Sequence, residues 1–312
     1  MKKFVMAAVV GTLLSSSAMA ENIGVTMAAF DDNFLTVLRN AMIAKGEEMG
    51  ADLQLEDAQN EVGKQLNQIQ NFVASGVDAI IVNPVDTDAT IPMSKLAADA
   101  GIPLIYVNRE PVNLKKLPEK QAYVGSLEIQ AGNLQGQHAC DLFKKMGKTE
   151  AQVVVLMGDL SNQAARLRTK GVEDVFAKDD CNFIKVVEKQ TGMWQRTLGT
   201  DLVTNWLSAG LKIDGVMSNN DEMAVGAAQA LKNAGADFDK VVIAGVDGTI
   251  DAKAMIETGE IDHTVFQNAK GQGAGAVEAA LKFARGEKAE AVNYIPFELI
   301  TPENLAEFAK TN

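Results

Sequence analysis

Short apolar runs of strand length alternate with amphipathic stretches of helix length along almost the whole 312-residue chain. Runs such as "DAIIVNP" and "QVVVLMGD" are apolar on both faces, so they need cover on both sides. Helical crossovers supply it, and the alternation predicts an α/β fold with parallel sheets. The strand candidates are "NIGVTMAA", "DLQLEDA", "DAIIVNP", "IPLIYVN" and "QAYVGS", then "QVVVLMGD", "FIKVVEK", "DGVMSNN", "KVVIAGVD" and "HTVFQN", with "NYIPFELI" near the end. Helices are expected between them at 34–49, 63–75, 91–100, 165–177, 197–209, 222–234 and 271–285. Five or so strands in each half predict two similar domains, because about 290 residues exceed what one core usually supports. A weak echo, "SGVDAIIVNP" against "LKIDGVMSNN", points the same way. No Pro-rich linker separates the halves, so short crossovers within the sheets are expected to join them.

The first twenty residues, "MKKFVMAAVVGTLLSSSAMA", read as an export signal: two lysines, an apolar middle too short to cross a bilayer, and a small-residue cleavage pattern ending at Ala20. The expected product is a soluble periplasmic protein starting at Glu21. Its net charge is −12, or about −14 without Lys2 and Lys3, which argues against nucleic acid or anionic lipid as partner. Cys140 and Cys181 can pair in an oxidising compartment or remain buried thiols, and the residues alone leave both open.

In open α/β sheets the ligand sits outside the carboxyl ends of the strands, where helix N-termini also converge. The residues following successive strands are Asp31-Asp32-Asn33-Phe34, Asn83, Asn108-Arg109, Asn162 with Arg166 and Arg168 beyond it, Trp194, Asn219-Asn220, Asp247 and Gln267. Any one Asn or Asp here can be a turn former or helix cap. Their joint occurrence suits a cyclic polyol: amides and carboxylates meet rim hydroxyls, guanidinium groups offer planar donors, and aromatic rings cover the C–H faces. Arg166 and Arg168 are two apart in a helix, so at least one is expected at the surface.

The phrases "VNPVDTDA", "IPLIYVNRE", "AARLRTKG", "SNNDEMAVGAAQALKNAG" and "VVIAGVDGTIDA" together resemble the periplasmic sugar-binding proteins of ABC importers, the branch of the ribose, galactose and inositol binders. The resemblance implies two doubly wound domains joined by three hinge crossings near residues 125, 267 and 293, with the ligand cleft between them. The lobes would be 21–124 with 268–293, and 125–267 with 294–312. Carried over residue by residue, the ligand contacts are Asp32, Phe34, Asn108, Arg109, Arg168, Trp194, Asn220, Asp247 and Gln267, with Asn83 an additional candidate. Leu35 stands where ribose binders carry a second aromatic, and Asn108 where they carry Asp. The "YVNREP" form is similar to the inositol and rhizopine branch, implying myo-inositol or a close cyclic polyol ahead of ribose, galactose or xylose. No Asp-rich calcium loop is visible, and no metal or cofactor is expected.

An enzyme is not expected: His138 and His263 are the sole histidines, and no HExxH, GxSxG or P-loop occurs. A sugar-responsive repressor would need an N-terminal helix-turn-helix where this chain carries an export signal. The implied partners are the small polyol or monosaccharide and an inner-membrane ABC permease, with a chemoreceptor also compatible, and the protein is expected to be a monomer.

Overall fold

The computed structural model describes residues 20–312. The export-signal reading therefore lies outside the described residues except for Ala20. Among the described residues no helix is long and apolar enough to cross a membrane.

The chain opens with β1 (Asn22–Met27), α1 (Asn33–Met49), β2 (Asp52–Asp57), α2 (Val62–Ser75), β3 (Ala79–Val82), α3 (Thr90–Ala100), β4 (Leu104–Asn108) and β5 (Gln121–Gly125). It continues with α4 (Glu128–Lys145), β6 (Ala151–Met157), α5 (Gln163–Phe176), β7 (Ile184–Thr191), α6 (Arg196–Ser208), β8 (Gly215–Ser218), α7 (Asp221–Asn233), β9 (Val242–Asp247), α8 (Ile250–Glu257) and β10 (His263–Phe266). Last come α9 (Ala269–Ala284), β11 (Val292–Tyr294) and β12 (Glu298–Ile300). Two six-stranded sheets result, ordered β11-β5-β4-β3-β1-β2 and β12-β10-β9-β8-β6-β7. The first is parallel throughout, and the second is parallel except where β12 runs against β10. Both are doubly wound with the same order, so each strand of one sheet has a counterpart in the other.

Central strands are buried on both faces, as in "AIIV" of β3 and "VIAGVD" of β9, whereas the edge strand β2 alternates exposed and half-buried residues. The sequence echo has a structural counterpart. Asp78 accepts from the Asn22 N–H at the start of β1 (2.7 Å), and Asp214 accepts from the Gln152 N–H at the start of β6 (2.9 Å). Asn83 and Asn219 accept from the Ala28 and Gly158 N–H groups just past the ends of the same two strands.

Three features differ from or complete the sequence reading. "NYIPFELI" is two short strands in different sheets, because Pro296 lacks the N–H a continuous ladder would need. Neither α4 nor the eight-residue α8 was among the expected helix ranges; α8 is capped by Thr249, whose hydroxyl accepts from the Ala252 N–H. Cys140 on α4 is bonded to Cys181 ahead of β7, with Cα atoms 5.7 Å apart. The open choice between disulfide and free thiols is thus settled.

The chain passes between the sheets after β5, after β10, and between β11 and β12. The first and third passages touch: the Ile295 N–H donates to the Gly125 carbonyl at 2.7 Å, and Ser126 Oγ donates to the Ile295 carbonyl at 2.7 Å. Small residues also bring α4 and α5 together. A Cβ on Gly132 would lie 2.0 Å from the Arg168 carbonyl oxygen, and one on Gly171 2.7 Å from that of Ile129. That close approach sets the first turn of α4 against the Arg168 side chain.

Candidate functional site

Strand ends from both sheets and the first turns of α1, α4, α5 and α7 converge on one cavity between the lobes. Asp32, Phe34, Asn108, Arg109, Arg168, Trp194, Asn220, Asp247 and Gln267 all line it. Leu35, Glu128 and Ala164 complete the wall.

Arg168, 4 % exposed, is the centre of the polar wall. Its Nε donates to Glu128 Oε2 at 2.6 Å, Nη1 to the Asn219 carbonyl at 2.8 Å and Nη2 to Gln267 Oε1 at 3.1 Å. Asp247 Oδ1 lies 3.6 Å from Nη1. Burial alone would lower the Arg168 pKa, but the charges of Glu128 and Asp247 outweigh it and raise it. Burial pushes Glu128 up with Arg168 pulling against it, and holds Asp247 well above the usual carboxylate range. The guanidinium is therefore permanently charged, while the carboxylates resist carrying full charge together. Arg168 also lies 5.7 Å from the ring centroids of Trp194 and Phe297.

Two buried atoms in this wall lack a partner: Glu128 Oε1, an acceptor, and Gln267 Nε2, a donor. Each residue is 1 % exposed. Leaving such groups unmatched costs about 1–3 kcal/mol apiece.

Asn108 and Asp247 end the counterpart strands β4 and β9, and both take positive φ, 67° and 126°. The chain accepts this strain where it turns a side chain from the sheet toward the cleft. Trp194, with φ of 66°, is held by its indole N–H donating to Asn162 Oδ1 at 3.0 Å and by its carbonyl accepting from Asn220 Nδ2 at 3.0 Å. Arg109 donates to the Pro84 carbonyl at 2.7 Å.

The capping and site roles coincide in places. Asp32 caps α1 by accepting from the Leu35 N–H, and Asn220 caps α7 by accepting from the Met223 N–H, yet both line the cavity. Asn83 does not line it; its amide nitrogen lies within reach of the Val107 carbonyl and Asn108 Oδ1, each at 3.3 Å, so it supports β4 from behind. Arg166 is exposed and donates to the Leu160 carbonyl. Glu128 was missed by sequence reasoning. It follows β5, so reading what lies beyond that strand, as for its neighbours, was the available signal.

The lobes touch across the cleft. Asn162 Nδ2 donates to the Val85 carbonyl (2.9 Å), Thr87 Oγ1 to the Ser161 carbonyl (3.0 Å), Gln163 Nε2 to Glu110 (3.0 Å) and Asn33 Nδ2 to Glu222 (2.8 Å).

Two doubly wound lobes closing on a polar, aromatic-walled cavity define a solute-binding protein. The chain belongs to the periplasmic binding protein family, whose domain matches residues 23–288. It is 58% identical, over 100% of both chains, to a candidate rhizopine-binding protein of Rhizobium meliloti. Among solved structures it is similar to an ABC transporter solute-binding protein of Bacillus halodurans with bound myo-inositol: TM-score 0.86, 38% identity, covering 94% of this chain and 99% of the other. The Caulobacter myo-inositol binding protein bound to myo-inositol gives a TM-score of 0.83 at 27% identity, covering 95% and 98%. These relatives are solute-binding proteins and not enzymes, and their family is a periplasmic, exported one.

Proposed function

We propose that this chain captures a cyclic polyol, with myo-inositol as the first choice, by closure of its two lobes and delivers it to an inner-membrane ABC permease. The observation that carries the reading is the cavity wall itself. The unmatched acceptor of Glu128 and unmatched donor of Gln267 belong to the two side chains that hold Arg168, and Asp247, Phe34 and Trp194 share the same wall. Ring hydroxyls both donate and accept, so they satisfy both atoms, and the aromatic rings cover the C–H faces. Three carboxylates, Asp32, Glu128 and Asp247, stand against two guanidinium groups, Arg109 and Arg168. The cavity is within about one charge of neutral, which suits a polyol and disfavours a phosphorylated sugar. Relatives with bound myo-inositol support the choice of ligand.

The contacts across the cleft hold the lobes together over the cavity, and parting them widens the way in for a ligand. Ligand contacts made to both lobes at once then favour the closed arrangement. The lobes in this reading are 21–124 with 268–293 and 125–267 with 294–312, the export signal is cleaved after Ala20, and the protein acts as a monomer. The nine residues Asp32, Phe34, Asn108, Arg109, Arg168, Trp194, Asn220, Asp247 and Gln267 make the ligand contacts, joined by Glu128.

The test is titration calorimetry of the chain from Glu21 onward against myo-inositol, scyllo-inositol, ribose, galactose, glucose and xylose. The inositols are expected to bind at least tenfold more tightly than any aldose. Tight binding of a single aldose would reassign the ligand, and no binding of any of them would overturn the polyol reading.

A further inference from the structure

A buried chain of hydrogen bonds leaves the cavity through Asn108 and ends on the lobe crossings. Asn108 Nδ2 donates to Gln272 Oε1 at 3.1 Å, Gln272 Nε2 donates to Ser126 Oγ at 2.9 Å, and Ser126 Oγ donates to the Ile295 carbonyl at 2.7 Å. Gln272 and Ser126 are fully buried, so no water replaces a broken link cheaply. Ser126 lies on the first crossing and Ile295 on the third, and α9, which carries Gln272, begins at the second.

The chain has a direction. The Ser126 hydroxyl has one proton, and it goes to Ile295, which leaves its oxygen to accept from the amide nitrogen of Gln272. The carbonyl end of Gln272 must then face Asn108 and accept from its nitrogen. Asn108 is left with Oδ1 toward Asn83 and the cavity. Crossing geometry thereby decides which end of a cavity amide is offered to a ligand.

We propose that Gln272 is a positioning residue that couples the hydrogen-bonding state of Asn108 to the arrangement of the lobe crossings. Such coupling is reciprocal: ligand held by Asn108 biases the crossings, and the crossings bias the affinity of Asn108. The proposal rests on the polyol reading for its ligand. A parallel route exists, because the Tyr123 hydroxyl reaches the carbonyls of both Asn108 (3.0 Å) and Ser126 (3.3 Å), and the test has to separate the two.

Asn108→Ala, Ser126→Ala and the double variant are titrated with myo-inositol in wild-type, Gln272→Met and Tyr123→Phe backgrounds. The losses are expected to depart from multiplicativity by at least fivefold in wild type and in Tyr123→Phe, and to multiply in Gln272→Met. Multiplicative losses in wild type overturn the proposal, as does coupling that survives Gln272→Met and vanishes in Tyr123→Phe. A second readout needs no ligand: the distance distribution between spin labels at exposed Asn40 and Thr204, one on each lobe. Asn108→Ala and Ser126→Ala are each expected to shift it in wild type, with the Asn108→Ala shift absent in Gln272→Met. If myo-inositol fails to bind wild type, the polyol reading falls alone, and an unchanged ligand-free distribution in Asn108→Ala and Ser126→Ala overturns the relay.

Discussion

Glu128 Oε2 and Arg168 Nε meet at 2.6 Å beneath the cavity, joining the first turn of α4 to the middle of α5. Each side chain is almost fully buried, so neither charge has water to fall back on. Removing one partner of such a pair costs about 3–5 kcal/mol, because the other charge is stranded. Glu128→Ala should lower the unfolding free energy by about that amount in urea titrations. Arg168→Ala should in addition raise the Kd for myo-inositol at least a hundredfold, about 3 kcal/mol, as should Asp247→Ala. Near-normal calorimetric binding in both would remove them from the ligand contacts.

Much of this arrangement was legible because each strand tip repeats one problem: a buried strand must end, turn and cap the next helix. Asp32 and Asn220 show why polar residues mark such tips, since each caps a helix and faces the cavity at once. Asp78 and Asp214 show why the repeated phrase was informative, since each ties down an N–H at the start of a counterpart strand, the first of β1 and the second of β6. Glu128 stands at a strand tip like the others, but its pairing with Arg168 was not legible from local pattern. Its role depends on Gly132 and Gly171 letting α4 and α5 approach, a contact between helices separated by β6. The split of "NYIPFELI" was hidden for a related reason, since pairing with two different sheets leaves no local trace beyond Pro296.

Asp221 gives a pH dependence with a definite sign. Its carboxylate is fully buried, and burial pushes its pKa from 3.8 up to about 7, although the Thr264 hydroxyl (2.5 Å) and the Thr249 N–H (2.7 Å) pull it down. The folded state therefore holds this proton where the unfolded chain has released it. Relative to Asp221→Asn, wild-type stability should fall as pH rises from about 4 to about 7, by up to about 1.4 kcal/mol per pH unit, and level off above. His263, held down to about 3 by burial, works in the opposite sense, since its contribution is lost as pH falls below 6.5. Urea titrations of both proteins at pH 4.5, 6 and 7.5 isolate the effect of the Asp221 proton; a difference that does not change with pH would refute it.

The Cys140–Cys181 bond spans 41 residues of chain. Closing a loop of that length is worth about 4 kcal/mol in the chain-entropy model. Both sulfurs are buried, so Cys140→Ala with Cys181→Ala should lose roughly that stability and lower Tm by on the order of 10 °C. Ligand affinity should change little, because Cys140 lies in the C-terminal half of α4, away from Glu128 at its start, and neither cysteine lines the cavity. Calorimetry and thermal unfolding of the double variant, alongside wild type in reductant, check both statements.

Asn312 reaches the site from outside it. Its amide nitrogen donates to the Asp247 carbonyl at 2.8 Å and the Gln267 carbonyl at 2.5 Å, and its Oδ1 accepts from the Ala269 N–H at 3.1 Å. One side chain thus fixes the backbone of two cavity residues and the start of α9, and Lys253 anchors the same segment by donating to the Phe308 and Thr311 carbonyls. Asp247 most needs such support, because its φ of 126° is a costly conformation for a residue with a Cβ. Asn312→Ala should therefore weaken myo-inositol binding by about tenfold, roughly one lost hydrogen bond or slightly more. Faster dissociation should carry most of that loss, because the change loosens the closed site without altering its charge. Stopped-flow dissociation kinetics measure this directly, with Asn40→Ala, at an exposed position on α1, as a control expected to match wild type.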